Sequence, residues 1–348
     1  MRAEAVAAAA AEWLDPLFAD RVAATQATLE APNSFTREAI DEAIDLVMAR
    51  VHLQSLYEWI GRPLKGSPRR VAVLNAGNLP FVGLQDLLAV VVSGHRYLGV
   101  VSRKSPHLLP AFGSSICRHA PQVEIDFADF QTSSRLADAL IATGSTATVQ
   151  IISRRFLTAG IALERQLLRG TRQGAALLDG SESATDLYEL ARDALLHEGR
   201  GCRNVAVVLA PSDLDPARFA EQADRFRRAF PVHSSTQKAL ARATKLLRAV
   251  EEPFLGGEGF VIVESEISLR EPCVIRWIRY GDESSAADWL ERNEKQLQVV
   301  VGHADQSEWM PGAVEHCEFG KSQDPPLDWR PDGVDTISFL RTIALKGS

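Results

Sequence analysis

Apolar residues recur at helical spacing through the first 60 residues of the chain. Ile40, Ile44, Val47, Met48 and Val51 form one such stripe, which is typical of the packing face of a helix. Near residue 70 the pattern changes to short apolar runs between helical patterns. The predicted strands are residues 71–74, 97–101, 123–127 and 139–142, and the predicted helices are residues 82–92, 106–119 and 133–138. This alternation predicts βαβ units and a mostly parallel sheet.

A second alternating block begins near residue 174. Its predicted strands are residues 175–178, 205–210, 260–263, 274–280 and 298–301, and its predicted helices are residues 184–197, 216–230 and 236–250. Proline and glycine cluster at residues 311–333, which predicts a loop that crosses between domains, and residues 335–346 form one closing element. At roughly 150 residues per domain, a chain of 348 residues is expected to form two domains of the α/β class.

Composition and charge exclude several classes of protein. The formal net charge of −7 argues against a general nucleic-acid binder, which usually carries a basic face. The four cysteines show no CxxC spacing, so neither a disulfide framework nor a zinc site is predicted, and no other metal is. Reduced thiols suit a cytoplasmic protein. The N-terminus lacks the pattern of a signal peptide, and the longest apolar runs (residues 87–92 and 205–210) are far shorter than the roughly 20 residues that span a bilayer.

Cys202 is the cysteine with the most suggestive surroundings. It follows two glycines and lies between Arg200 and Arg203, and neighbouring cations favour the thiolate, which is the nucleophilic form. A small buried residue is the alternative, because free cysteine is often simply part of a core. That structural interpretation is preferred for Cys117, Cys273 and Cys317. His197 precedes Cys202 by five residues, but its position near a predicted helix C-terminus is adequately explained by the helix dipole.

Two predicted turns follow strands of the first block. Asn78 lies in the turn after the first strand, where its amide could donate to a developing oxyanion or serve only the turn. The segment Thr143-Gly144-Ser145-Thr146 follows the last strand and opens a helix. Backbone N–H groups there suit a phosphate, although an ordinary capped helix start explains the segment equally well.

The order of the short motifs along the chain resembles that of a known superfamily. The motifs are NAGNLP at residues 75–80, GH at 94–95, ATGS at 142–145, LDGSE at 178–182, GCRNV at 201–205 and DGVDT at 332–336 followed by FL at 339–340. Between residues 70 and 345 the chain resembles the aldehyde dehydrogenase superfamily, and within it the acyl-CoA reductases of the LuxC type.

The resemblance implies two α/β domains with the active site in the cleft between them. Residues 1–173, completed by residues 316–348, would form a Rossmann-like cofactor domain, and residues 174–315 would form the catalytic domain. It further implies that Cys202 is the nucleophile and that Asn78 belongs to the oxyanion hole. The cofactor would be NADPH or NADH, the substrate an acyl-CoA or an acyl carrier, and the assembly a homodimer or tetramer. The implied cofactor-binding residues are Thr143, Gly144, Ser145, Thr146, Ser102, Arg103, Lys104 and Glu271.

The chain departs from the wider superfamily at several positions. Val100 replaces a lysine that contacts the adenosine ribose, and Val149 replaces a second glycine. The glutamate that activates water in aldehyde-oxidising members has no counterpart in residues 168–173, which favours thioester reduction over aldehyde oxidation. Two alternatives remain open: a short-chain CoA-acylating aldehyde dehydrogenase, and a non-catalytic member that binds acyl-CoA or a partner protein.

Overall fold

The computed structural model describes residues 1–62, 65–264, 271–309, 311–312 and 314–345. The chain contacts divide these residues into two compact units. The first unit comprises residues 1–33, 40–171 and the segment from residue 326 onward, and the second comprises residues 34–39 and 172–325. The function of each unit stays a prediction. Among the described residues, no helix combines the length and apolar character needed to cross a membrane.

The chain begins with the four helices α1–α4: Arg2–Leu14, Ala19–Glu30, Arg37–Met48 and Leu53–Ile60. The alanine-rich α1 buries Val6, Ala9 and Trp13 completely. The Trp13 ring meets Phe81 and Phe112 edge to face, and its Nε1–H donates to Ser115 at 2.9 Å. The N-terminal helices are therefore part of the core of the first unit.

The sheet of the first unit contains the strands β1–β5: Arg70–Leu74, Arg96–Val100, Ile125–Phe127, Ala139–Thr143 and Gln166–Arg169. Its order among the described residues is β3-β2-β1-β4-β5, and all pairs are parallel. The helices α5–α8 connect these strands: Leu84–Val92, Leu108–His119, Phe130–Leu136 and Thr146–Thr158. The strands β2 and β3 lie on one side of β1, and the later strands β4 and β5 lie on its other side. The strand order therefore reverses between β1 and β4, and ligands bind at the carboxyl ends of the strands at such a point.

Two features of this sheet differ from the sequence prediction. The helix predicted at residues 133–138 runs instead from Phe130 to Leu136, because the Asp129 carboxylate caps it by accepting from the Thr132 amide at 2.8 Å. The strand β5 was not predicted. It forms by pairing with β4, and its own four residues carry too short a pattern to identify it.

The sheet of the second unit contains the strands β6–β12: Gln173–Leu177, Val205–Pro211, Phe254–Gly257, Phe260–Val263, Val274–Tyr280, Leu297–Val301 and Glu315–Cys317. Among the described residues its order is β12-β11-β6-β7-β10-β9-β8. The pairs are parallel except for the antiparallel hairpin of β8 and β9, whose turn contains Gly259 at φ +72°. Apolar side chains from both faces of the sheet are buried.

The helices α9–α12 cover this sheet: Ala184–Leu195, Ala217–Ala229, Ser234–Ala249 and Glu283–Asn293. A capping box between Ser183 and Asp186 starts α9, and this arrangement satisfies two otherwise unpaired amide groups. The helix α9 ends at Leu195, two residues earlier than predicted. The chain then continues through a short 3₁₀ turn to the residues that precede β7.

The closing element is the helix α13, Thr336–Leu345, and Lys346 of the predicted segment lies outside the described residues. Arg169 forms a buried ion pair with Asp86 and also holds α13 to the rest of the first unit. Arg169 Nη1 donates to both carboxylate oxygens of Asp86 at 2.8 and 2.9 Å, and its Nη2 donates to Thr336 Oγ1 at 2.7 Å.

Candidate active site

Cys202 lies in a turn between the end of α9 and the start of β7, at the amino edge of the second sheet. Its side chain is half-buried. The turn is closed by Asn204, whose amide N–H donates to the Gly201 carbonyl at 3.2 Å and whose Oδ1 accepts from the Gly201 N–H at 2.7 Å. The thiol therefore occupies a turn of fixed shape that leaves part of the side chain accessible.

The Asn204 side chain also ties this turn to the end of α9. Its Nδ2 donates to the carbonyl oxygens of Asp193 and Leu196, each at 2.9 Å. The last carbonyl groups of a helix have no partner within the helix, and Asn204, which is 2% exposed, supplies one. The helix end and the Cys202 turn are thereby a single hydrogen-bonded structure.

Arg203 anchors the other side of the turn. Its guanidinium donates to both oxygens of Glu315 at 2.5 and 2.8 Å and to the Ser322 carbonyl. The Ser322 hydroxyl and amide in turn donate to the buried Asp193 carboxylate at 2.6 and 2.9 Å. Burial raises the pKa of Asp193 to about 6 despite these hydrogen bonds. Arg203 is therefore a structural anchor. The sequence alone suggested a different role, that of a neighbouring cation that favours the thiolate of Cys202.

The segment just before the turn adopts an unusual backbone. His197, Glu198 and Gly199 all have positive φ, between 55° and 61°, a region that costs a residue with a Cβ of order 1 kcal/mol. The buried Glu198 carboxylate faces Arg227 at 3.5 Å and accepts from the His233 amide at 3.3 Å. These contacts hold the segment in its strained conformation.

The structure corrects the interpretation of His197. It lies beyond the helix in a buried position, and burial lowers its pKa to about 4. The imidazole is therefore neutral at pH 7, so an attraction between a cationic histidine and the helix dipole does not explain its position. Its Nδ1 has no hydrogen-bond partner in the described part of the chain.

The other three cysteines lie in surroundings that disfavour a nucleophile. Burial raises the pKa of Cys273 and of Cys317 to about 12, and it also raises the pKa of Cys117. Cys273 is fixed further by Arg227 Nη2, which donates to its sulfur at 2.9 Å. Because the thiolate is the reactive form, these three thiols are poor candidates at neutral pH.

In the first unit, the turns after β1, β2 and β4 come together. The Ala76 amide, in the turn that contains Asn78, donates to the Thr143 carbonyl at 3.1 Å. A Cβ on Gly77 would lie 2.2 Å from Ser102 Oγ, so only glycine permits this close approach of the two turns. Asn78 and Ser102 are both half-buried. These turns lie at the carboxyl edge where the strand order reverses, which is the position at which ligands bind in such sheets.

Residues 143–146 lead from the end of β4 to the start of α8. Ser145 Oγ caps the helix by accepting from the Thr148 amide at 3.2 Å. Thr146 exchanges two hydrogen bonds with Thr171: its amide donates to Thr171 Oγ1 at 3.2 Å, and its Oγ1 accepts from the Thr171 amide at 3.1 Å. The Gly144 amide donates to the Arg169 carbonyl at 3.2 Å, so much of the hydrogen-bonding capacity of this segment is used locally.

The remaining predicted cofactor residues occupy separate positions. Arg103 and Lys104 are exposed just beyond the carboxyl end of β2. Glu271 is a half-buried residue of the second unit, and its carbonyl accepts from the Val274 amide where β10 begins. Val100 packs beside the apolar cluster of β1 and β4, and Val149 is buried in the first turn of α8. Both valines therefore have a packing role in the first unit.

Comparisons with known proteins identify the fold. A scan against protein-family models finds no match to the chain, and a search of curated proteins finds none either. Solved structures do match. An oxidoreductase from Marinobacter aquaeolei superposes with a TM-score of 0.72 at 9% identity, covering 97% of this chain and 81% of its own.

Two further structures match over similar lengths. Aldehyde dehydrogenase 21 from Physcomitrella patens, solved with the product succinate, has a TM-score of 0.70 at 12% identity and covers 99% of this chain and 85% of its own. An NAD-dependent benzaldehyde dehydrogenase from Corynebacterium glutamicum has a TM-score of 0.66 at 14% identity and covers 93% and 82%. The chain is similar to these proteins along nearly its whole length, and its fold is that of the aldehyde dehydrogenases, with two α/β domains.

Proposed function

We propose that the protein is an NADPH- or NADH-dependent acyl-CoA reductase that converts an acyl-CoA, with a fatty acyl chain favoured by the LuxC-type resemblance, to the aldehyde. The observation that carries this proposal is the placement of Cys202. It is a partly accessible thiol in a turn fixed by Asn204 and Arg203, within a fold shared with aldehyde dehydrogenases.

Cys202 would act by covalent catalysis. Its thiolate attacks the thioester carbonyl, and a new carbon–sulfur bond forms as the carbonyl electrons move to oxygen. The Asn78 amide and the Cys202 backbone N–H would donate to that oxyanion. When the oxyanion collapses, the bond to the CoA sulfur breaks, the proton given up by the Cys202 thiol is taken up by CoA, and the acyl group remains on Cys202 as a thioester.

The nicotinamide cofactor would supply the hydride that reduces this thioester. Hydride addition would move the carbonyl electrons to oxygen, and Cys202 would hold the resulting thiohemiacetal oxyanion until it collapses, when the carbon–sulfur bond breaks, the aldehyde leaves and the thiolate is regenerated. Asn78 would stabilise the oxygen at both stages.

The turns after β1, β2 and β4 fit a dinucleotide. They line the carboxyl edge at the strand-order reversal, and Gly77 lets two of the turns approach closely. In Rossmann-like sheets an acidic residue in this region binds the 2′-hydroxyl of NAD, whereas a cation accepts the 2′-phosphate of NADP. Arg103 and Lys104 follow β2 here, so we favour NADPH. Thr143, Gly144, Ser145 and Thr146 would contact the cofactor edge, and Glu271 would contact the nicotinamide ribose.

The segment from β5 to β6 supports reduction over aldehyde oxidation. Residues 166–173 contain no carboxylate that could activate water, and the Arg169 side chain is engaged by Asp86 and Thr336. A reductase that receives a thioester needs no hydrolytic water. The LuxC-type resemblance further leads us to propose a cytoplasmic homodimer or tetramer, which light scattering of the purified protein would test.

Intact mass spectrometry tests the proposed chemistry. The protein is mixed with acetyl-CoA, with tetradecanoyl-CoA or with an acyl carrier protein bearing the longer chain, all without nucleotide. One acyl adduct is expected on the wild type and on Cys117→Ala, and none on Cys202→Ala. Addition of NADPH should then remove the adduct and yield aldehyde.

The outcomes separate the alternatives. An adduct only with acetyl-CoA favours the short-chain acylating enzyme. No adduct from any donor, with Cys202 confirmed as a free thiol, overturns the acyl-enzyme mechanism. Tight acyl-CoA binding in that case supports the non-catalytic member of the fold.

A further inference from the structure

A group of metal-ligating side chains lies at the carboxyl edge of the second sheet. Asp179 and Glu182 follow β6, and His303 follows β11, which pairs with β6 in parallel. Parallel neighbours end at the same edge, so the two loops meet there. One potential ligand atom from each of the three side chains lies within 4.8 Å of the others, which is close enough for one cation to contact all three.

The loop after β6 is fixed in shape. The Glu182 carboxylate accepts from the backbone amides of Asp179 and Gly180 at 2.7 and 3.1 Å, and the residue is only 1% exposed. An ionised carboxylate offers about four lone-pair positions, so these two hydrogen bonds orient Glu182 and leave lone pairs available for a cation.

Gln306 connects this loop to His303. Its Oε1 accepts from the His303 backbone amide at 2.9 Å, and its Nε2 donates to Asp179 Oδ2 at 3.3 Å. Gln306 is itself buried. The Gln306 side chain therefore links the loop after β6 to the loop after β11 and helps to fix their relative positions.

The His303 ring is packed and one of its nitrogens is unpaired. The ring meets Phe319 edge to face, with centroids 5.2 Å apart and planes at 90°. Its Nε2 is buried and has no hydrogen-bond partner in the described part of the chain. An unpaired buried polar atom is costly and calls for a specific partner. A cation bound by the imidazole and the two carboxylates would reduce this cost.

We propose that Asp179, Glu182 and His303 form a binding site for a divalent transition-metal ion. One imidazole nitrogen and two carboxylate oxygens suit Zn²⁺ or Mn²⁺, whereas Ca²⁺ and Mg²⁺ favour all-oxygen ligand sets. The exposed Asp179 provides a route of entry. Three protein ligands would leave at least one coordination position for water or a small anion.

This site is separate from the proposed active site. Cys202 precedes the amino end of β7, while the three ligands lie beyond the carboxyl ends of β6 and β11 in the same sheet. At about 3.3 Å per residue, a strand of this length separates the two edges by about 20 Å. Metal binding and acylation of Cys202 can therefore succeed or fail independently.

Titration calorimetry of the full-length protein with ZnCl₂ and with MnCl₂, after removal of metal by a chelator, tests the proposal. One equivalent should bind to the wild type, Zn²⁺ more tightly than Mn²⁺, and the melting temperature should rise with metal concentration. His303→Gln and Asp179→Asn should each weaken binding at least about tenfold. Asp179 is exposed, so its variant is expected to fold even if the histidine variant does not.

His119→Gln is the matched control. His119 lies in the first unit and faces the Glu12 carboxylate at 3.1 Å, so it resembles His303 in having an acidic neighbour. This variant should bind metal as the wild type does. Binding weaker than millimolar in the wild type, or equal affinity in the wild type and Asp179→Asn, would overturn the proposal.

Discussion

Asn204 offers the most direct test of how the fold holds the candidate nucleophile. Replacing it with alanine removes its hydrogen bonds to the carbonyls of Asp193 and Leu196 and to the Gly201 amide. The residue is 2% exposed, so water cannot readily replace these partners. The helix end and the Cys202 turn would both be left with unpaired backbone groups.

The expected cost follows from these three bonds. At about 1 kcal/mol for each net hydrogen bond, Asn204→Ala should destabilise the second unit by about 3 kcal/mol. For a unit of about 160 residues, such a loss lowers the melting temperature by about 6–12 °C. Asn204→Asp keeps the shape and the acceptor but places carboxylate oxygen where Nδ2 donated to carbonyls. It should therefore be at least as unstable as Asn204→Ala.

Differential scanning calorimetry measures the loss of stability. Alkylation of Cys202 by iodoacetamide, quantified by mass spectrometry, measures whether the loosened turn changes the reactivity of the thiol. The matched control is Asn293→Ala, which removes one hydrogen bond, from Nδ2 to the Trp289 carbonyl at 2.8 Å in the last turn of α12. The control should melt within about 4 °C of the wild type and leave the alkylation rate unchanged. If Asn204→Asp were as stable as the wild type, the amide would not hold the turn and the reasoning would be refuted.

Three further predictions concern other parts of the molecule. Arg169→Met should cost about 3–5 kcal/mol, because it leaves the Asp86 carboxylate buried without its partner, and Asp86→Leu in the same chain should restore most of the loss in thermal unfolding. Burial raises the pKa of Asp193 to about 6. Between about pH 4 and 6 the folded chain therefore retains a proton that the unfolded chain releases, so the free energy of unfolding should fall by about 3 kcal/mol as the pH rises. Denaturant titrations should show this decrease in the wild type and not in Asp193→Asn. Charge reversal at both Arg103 and Lys104 should weaken NADPH binding at least about tenfold and leave NADH binding nearly unchanged in fluorescence titrations, and an equal loss for both nucleotides would contradict the assignment of the 2′-phosphate to these residues.

The sequence predicted most helices and strands of the two α/β units because their apolar positions follow a local period, but it did not predict the helix α12 or the strands β8 and β12. The runs at residues 71–74 and 205–210 are buried on both faces, as strands in the middle of a parallel sheet are. The strand β5 could not be found in this way. Gln166 and Arg169 flank only two leucines, and the strand exists because it pairs with β4.

The end of α9 shows the same limit at the site itself. The apolar residues Leu195 and Leu196 continue the helical period, so the sequence predicted a helix through His197. The helix ends at Leu195 because Asn204 binds the carbonyl groups at its end. This partner lies on the strand side of the turn, and its effect depends on the folded path of the chain between the two.

The proposed metal ligands could not have been predicted from spacing. Asp179 and Glu182 lie close together in the sequence, but His303 follows them by more than 100 residues. Only the pairing of β6 with β11 brings the two loops together. A search for short cysteine and histidine motifs addresses local sites, whereas the edge of a parallel sheet assembles its ligands from distant loops.

Position also distinguishes Cys202 from the other cysteines more strongly than its neighbours in sequence do. Arg203, which suggested an activated thiol, directs its guanidinium to Glu315 and Ser322, so its charge is largely neutralised by a structural partner. Cys117 and Cys317 belong to a helix and a strand, and Cys273 is enclosed in the core. Cys202 occupies a turn that Asn204 and Arg203 hold in shape, and its side chain is half-buried. The case for Cys202 as the nucleophile therefore rests on the shape of this turn, and Asn204 is the residue whose substitution tests that shape without altering the thiol.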